Sequence, residues 1–245
     1  MRGKTHFAIG ILASLQASIL FNKPLSIINI GICSLFSILP DLDTSNSILS
    51  NTILKQTSSK KIYKILIYSL DILIFVISLK INKDFIISSI ITFLSIIFLE
   101  AKINHVFLRK ILLSSIFIIL SVCIYLANGK LYLILFTIFL AFFPWLKHRK
   151  LSHSILAVLI ISFLLKQIEL LTNILNLCFF GTIGYTSHLF LGDLFTKAGI
   201  PLFYPFIKKN FSLGFLRVGG NLSNKLENLF IIILLILILL TLLKF

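Results

Sequence analysis

The chain has 245 residues, 58% of them hydrophobic and 13% charged, with a formal charge of +15. Soluble globules carry an apolar share nearer about 45–50% even with glycine counted, so the composition excludes an ordinary water-soluble enzyme and points to a membrane protein. In so apolar a chain, excess Lys and Arg mark loops facing anionic lipid, and a nucleic-acid partner is not expected.

Nine apolar segments can be drawn, at 6–21, 25–39, 62–79, 85–99, 111–127, 131–146, 151–165, 168–191 and 229–243. Several are shorter than the ~20 residues that span a hydrocarbon core. No soluble stretch between them is long enough to fold alone. The expectation is an all-α fold, a polytopic transmembrane bundle of about eight or nine short apolar helices forming one membrane-embedded domain over residues 1–245.

The first segment follows Arg2 and Lys4, is opened by His6 and reads as an uncleaved helix. The second closes on Pro40-Asp41-Leu42-Asp43, and residues 44–60, rich in Ser, Thr, Asn and Lys, read as a solvated loop. Asp71, inside the third segment, must face protein or water, because a carboxylate against lipid is costly. Between the sixth and seventh segments stands Lys147-His148-Arg149-Lys150-Leu151-Ser152-His153-Ser154, the most polar stretch of the chain. The eighth closes on Ser187-His188 and, after Gly192, Asp193. Residues 194–205, with Gly199, Pro201 and Pro205, should turn out of the membrane, since proline breaks a helix interior. Cys33, Cys123 and Cys178 stand singly in apolar runs and read as small hydrophobes.

If every segment crosses, the loops of one side hold seventeen Lys and Arg and those of the other six. The positive-inside rule then puts the N-terminus in the cytoplasm. His6, Asp41, Asp43, His148, His153, His188 and Asp193 all fall at ends on that same side, although the count used none of them. Imidazole with carboxylate suits Zn²⁺, with Mn²⁺ or Fe²⁺ as alternatives, and the cysteines are too scattered for a thiolate site. Seven candidate ligands exceed the four of one tetrahedral ion, so two or more ions fit the count. Steps of five residues separate His148 from His153 and His188 from Asp193. Five residues is about 140° around a regular helix, so the first pair needs a bend and the second a helix end or a bulge. Arg149 offers a planar fork for a substrate oxyanion, Asp43 is a candidate base, and Ser152, Ser154 and Ser187 suit supporting partners or helix caps.

Thr5-His6, Leu39-Pro40-Asp41-Leu42-Asp43, His148-Arg149-Lys150-Leu151-Ser152-His153-Ser154 and Gly184-Tyr185-Thr186-Ser187-His188 with Asp193 through Pro205 follow one another as in a known family. They resemble the YdjM-like inner-membrane family of bacteria and archaea, described as metal-dependent hydrolases and as associated with the LexA damage response. The family is distantly similar to zinc-dependent phospholipase C and P1 nuclease, which implies phosphoester chemistry. The resemblance carries the family's polar positions onto His6, Asp41, Asp43, His148, Arg149, His153, Ser154, His188, Asp193 and Thr196. This chain departs in two places: Lys150 stands where the family has glycine, and Gly192 lengthens the usual four-residue step from histidine to aspartate.

The expectation is a metal-dependent hydrolase at the cytoplasmic face of the inner membrane. Its metal is a divalent ion, most simply Zn²⁺, with His6, Asp41, Asp43, His148, His153, His188 and Asp193 as ligands and Asp43 and Arg149 as catalytic groups. Its partners are membrane lipid and a lipid or lipid-linked phosphoester. Two other classes use the same residues. An ion- or proton-coupled carrier would spread polar groups through the membrane, and a non-catalytic scaffold would use the metal to tie helix ends together.

Overall fold

A computed structural model describes residues 2–44, 46–214 and 221–243. Ten α-helices form among them: α1 (Gly3–Leu20), α2 (Ile27–Phe36), α3 (Ile48–Ile53), α4 (Gln56–Asn82), α5 (Phe85–Lys102), α6 (His105–Leu126), α7 (Leu131–Phe142), α8 (Ile155–Thr172), α9 (Leu177–Ser187) and α10 (Asn221–Leu242). The fold is the expected all-α membrane bundle. Its helices are less uniformly short than the segment list: Gln56–Asn82, His105–Leu126, Ile155–Thr172 and Asn224–Leu242 are long and apolar enough to cross a membrane, whereas Ile27–Phe36, Phe85–Leu99 and Leu131–Trp145 are shorter apolar helices.

Two further differences have local causes. Residues 44–60 are not simply a solvated loop, because α3 and the start of α4 lie there. Arg109 of α6 ties that stretch down, donating from Nη2 to Asn51 Oδ1 at 2.9 Å and to the Leu54 carbonyl at 2.7 Å. The break between the seventh and eighth segments falls at Asn173–Asn176 rather than at Lys166. Asn173 and Asn176 take φ of 56° and 61°, a left-handed conformation that asparagine tolerates better than most residues. Lys166 stays helical and pairs with Glu169 one turn on, at 2.9 Å.

Turns at the end remote from His6 are short, and Asn22, Lys83 and Asn128 also reverse the chain there with positive φ. Helix starts are capped by side chains: Ser26, Ser47, Asp84, Asn104 and Ser154 accept from backbone N–H groups of the first turn. Such caps satisfy donors that a helix leaves unpaired, a requirement sharpened where water is scarce.

The core gathers α2, α6, α7, α8 and α9 around Phe36, Leu42, Phe143, Ile161, Leu165, Tyr185 and Leu189. In contrast, α4, α5 and α10 present long rows of exposed Ile, Leu and Phe, as lipid-facing helices do. Asp71 is turned inward, as its cost against lipid requires. Two glycines let α2 approach its neighbours. A Cβ on Gly184 would lie 2.1 Å from the Cys33 carbonyl oxygen, and one on Gly10 would lie 2.4 Å from Ser37 Oγ. Small residues at membrane helix crossings allow such contact, and here it brings α1 and α9 close against α2.

Gly184→Ala should therefore destabilise the protein by about 1–3 kcal/mol through backbone overlap. A lowered unfolding midpoint in detergent measures it. Gly31→Ala is the control, because a Cβ there meets nothing within 4 Å, and its midpoint should hold or rise.

Candidate metal centre

Four pieces of chain meet beyond the ends of α1, α2, α8 and α9. α1 supplies His6 from its second turn, and the 3₁₀ turn Leu39–Asp43 supplies both aspartates. The irregular stretch before α8 supplies His148, Arg149 and His153, with His153 closing the 3₁₀ turn Leu151–His153. A π-helical turn, His188–Gly192, followed at once by Asp193, extends α9.

The π turn answers the spacing problem. Asp193 N–H bonds to the His188 carbonyl five residues back, the signature of one residue inserted into a helix. The inserted residue carries the side chain of Asp193 round to face that of His188. Gly192 is required here for a second reason: a Cβ on it would lie 2.3 Å from Cε1 of His6. The other departure is accommodated differently. Lys150 has φ of −119° and ψ of −113°, a backbone conformation outside the common regions for a residue with a Cβ, and its Nζ lies 5.9 Å from the centroid of the Tyr204 ring.

Four atoms face one another at the centre. Nε2 of His153 lies 3.2 Å from Nε2 of His188 and 3.2 Å from Asp193 Oδ2. Asp41 Oδ1 stands 3.9 Å from His153 Nε2 and 3.8 Å from His188 Nε2, and Asp193 Oδ2 stands 3.7 Å from His188 Nε2. Two nitrogens on one tetrahedral zinc at ~2.0 Å lie roughly 3.3 Å apart, so these separations match a single ion's donor set.

The ring nitrogens on the far sides fix the tautomers. Nδ1 of His188 lies 2.7 Å from the Ser37 carbonyl oxygen, which can only accept. Ser152 Oγ donates to Asp43 Oδ2, leaving its own oxygen to accept from His153 Nδ1 at 2.9 Å. In both rings Nδ1 then carries the proton and Nε2 offers its lone pair inward, an assignment made from the hydrogen-bond network. Two lone pairs facing at 3.2 Å repel unless a proton or a metal ion lies between them. A metal-binding histidine is usually held this way, its outer N–H on a carbonyl or a carboxylate.

His6 stacks on His188 with ring centroids 3.8 Å apart. Both its nitrogens are buried without a hydrogen-bond partner, and Nε2 lies 3.6 Å from Asp193 Oδ1. Such an orphaned imidazole in a buried site fits metal ligation. His6, His188 and Asp193 form one three-donor group, and Asp41, His148 and His153 form a second.

Asp43, expected among the ligands, is placed behind them. Its carboxylate takes Ser152 on one oxygen and stands 2.8 Å from His148 Nδ1 on the other. The 3₁₀ turn sends Asp41 to the Nε2 side of His153 and Asp43 to its Nδ1 side. His148 is the open member of the cluster, with its side chain 43% exposed. Arg149, with φ of 56°, donates from Nη2 to Asp193 Oδ1 at 3.2 Å, while its Nε has no partner. A left-handed arginine is a strained residue, held here where its fork borders the cluster.

Supporting residues divide as follows. Ser154 caps α8, accepting from Ala157 N–H; Ser187 bonds within α9; Thr196 donates to the Asp193 carbonyl. Tyr185 Oη donates to the Ser152 carbonyl and Thr5 Oγ1 to Glu227 of α10, at 2.6 Å. Tyr185 stands in the Gly184–His188 motif without a role read from it, and Ser37 and Glu227 carry no motif spacing that would have identified them. The fifth histidine, His105, opens α6 away from the cluster.

Burial works against ionising the two carboxylates, but the imidazoles outweigh it. His188, His6 and His153 hold Asp41 below the usual carboxylate range, and contacts with His153, His188 and His6 hold Asp193 well below it.

Fold and site together define a polytopic helical membrane protein with a buried histidine–aspartate cluster at one end of the bundle. The chain belongs to the YdjM inner membrane protein family, whose model matches residues 1–245. No curated protein and no solved structure matches it significantly.

Zinc titration of the purified protein tests the cluster. Ser152→Ala should weaken binding about 10–100-fold, because His153 loses the partner that fixes its ring, while His153→Ala and His188→Ala should abolish stoichiometric binding. Imidazole ligands must shed their protons to bind a metal, while Asp41 and Asp193, held below the ordinary carboxylate range near 4, stay charged through mild acid. Zinc affinity should therefore fall at least about tenfold between pH 7 and pH 5, read by chelator competition.

Proposed function

We propose that the protein is a metal-dependent hydrolase that cleaves a phosphoester of a lipid or lipid-linked molecule at the cytoplasmic face of the membrane. The observation that carries this reading is the set of four facing donors, Asp41, His153, His188 and Asp193, beside an arginine with an unpaired Nε and an exposed histidine. At least one divalent ion would be held there, with Zn²⁺ the best match to the ligand types, and His6 adds a donor beside His188 and Asp193. Bound metal supplies Lewis acidity toward a phosphoryl oxygen and toward water.

The chain's own groups do the rest. Arg149 binds a phosphoryl oxygen through its fork and stays charged throughout. Nδ1 of His148 is occupied by Asp43, which leaves Nε2 to hold or release a proton at the exposed edge. Asp43 serves both histidines of the motif, orienting His148 directly and His153 through Ser152. Seventeen of the twenty-three Lys and Arg lie on the side assigned to the cytoplasm, which supports an active face next to anionic headgroups.

Purified protein should retain one or two zinc ions per chain and hydrolyse a phosphatidic acid or an undecaprenyl-type phosphate, and chelation should abolish turnover. Arg149→Ala and His148→Ala should each lower kcat about 10²–10³-fold, the usual loss for a group that stabilises charge or moves a proton in the transition state, with zinc content kept. Protein without metal, whose His153→Ala/His188→Ala variant behaves as the parent, overturns the reading.

A further inference from the structure

Side-chain hydrogen bonds hold helices α1 and α10 together at two points. Near the metal centre, Glu227 accepts from Thr5 Oγ1 at 2.6 Å and from Arg2 Nε at 3.0 Å. Fourteen residues further along α10, about 21 Å, Thr241 Oγ1 donates to Gln16 Oε1 at 3.3 Å. Around the second of these contacts, with both of its side chains in the wall, lies a cavity of about 310 Å³ whose other walls include Leu12, Ala13 and Ala17 of α1, Leu234 and Leu237 of α10, and Leu191 of the π turn. Apolar helices tied at two points ordinarily close on each other, because a void forfeits the dispersion contacts of its lining. The small side chains of Ala13 and Ala17 keep this one open.

The cavity also shares a wall with the metal centre. Leu191 is joined to Gly192, which lies against the His6 ring. From His6 to Leu12 is six residues, about 9 Å along α1, and the slot then runs to Leu20, about 12 Å more. A chain whose polar end sits at Arg149 and the imidazoles would enter the slot within its first several carbons and have roughly ten methylenes held there.

We propose that the slot between α1 and α10 holds one hydrocarbon chain of the substrate, so that the protein acts on amphiphiles whose phosphate is joined to a long alkyl, acyl or isoprenoid chain. The proposal rests on the hydrolase reading for the polar end. The slot is walled mainly by Leu and Ala, with Gln16 and Thr241 as its polar members, and Leu191 forms the wall it shares with the cluster that takes the phosphate. Within a bilayer the slot adds little affinity, since lipid is as apolar as its walls; what it supplies is the register of the chain and hence of the phosphate.

The test uses the full-length protein in phosphatidylcholine nanodiscs and hexadecyl phosphate carrying a photoactivatable diazirine at its tenth carbon. Labelling should map to Leu12, Ala13, Leu234 and Leu237 and should be displaced by unlabelled hexadecyl phosphate but not by hexadecanol. Ala13→Phe and Ala17→Phe, which fill the slot, should cut labelling at these positions at least tenfold with zinc content retained. Leu234→Ala, which widens it, should keep the label. Labelling indifferent to the filling variants, or displaced equally by hexadecanol, overturns the proposal, the latter because bulk lipid chains then fill the slot. Zinc content and phosphate release from the parent protein are followed in parallel: their failure overturns the hydrolase reading, while the response to the filling variants decides the slot.

Discussion

The Nε2 atoms of His153 and His188 face each other at 3.2 Å with their lone pairs directed at the same point, and Asp41 and Asp193 close around them. That arrangement is unfavourable unless positive charge sits within it, so the surrounding chain must hold it together. The holding is visible on every side: the Ser37 carbonyl behind His188, Ser152 and Asp43 behind His153, and Tyr185 on the Ser152 carbonyl. The close approaches at Gly10 and Gly184 bring α1 and α9 close against α2 so that these groups can meet.

A bilayer allows irregular backbone only where protein buries it or water reaches it. The bundle keeps to this rule asymmetrically. At the end remote from His6 the reversals are short and use asparagine or lysine with positive φ. At the site end the chain spends its irregular geometry, three 3₁₀ turns and a π turn, on aiming ligands. Arg149 also has positive φ but belongs to this second group, since its backbone presents a fork to the cluster instead of reversing a hairpin.

The two aspartates of Leu39–Asp43 show how neighbouring identical residues acquire different tasks. A tight turn separates their directions, so that Asp41 joins the facing donors while Asp43 stands behind His153 and beside His148. Composition and spacing present them as equivalent. Only the partners distinguish them, and those partners lie more than a hundred residues away.

The sequence by itself determined the membrane character, the all-α class and the gathering of four histidines and three aspartates at one end of the bundle. Apolar run length and the Lys and Arg asymmetry are local quantities and can be read without coordinates. It also showed that the five-residue step from His188 to Asp193 needs a helix end or a bulge, because helical period is a fixed angle. The break at Asn173–Asn176, the extra helix in residues 44–60 and the withdrawal of Asp43 were not legible. The first depends on Glu169 accepting from the Cys178 N–H across the break, and the other two on contacts between distant segments: Arg109 on the Leu54 carbonyl and Ser152 on Asp43. The slot between α1 and α10 was decided by tertiary structure alone, since an alanine facing a void and an alanine facing a neighbour are the same letter in a sequence, and only the placement of Glu227 and Thr241 tells them apart.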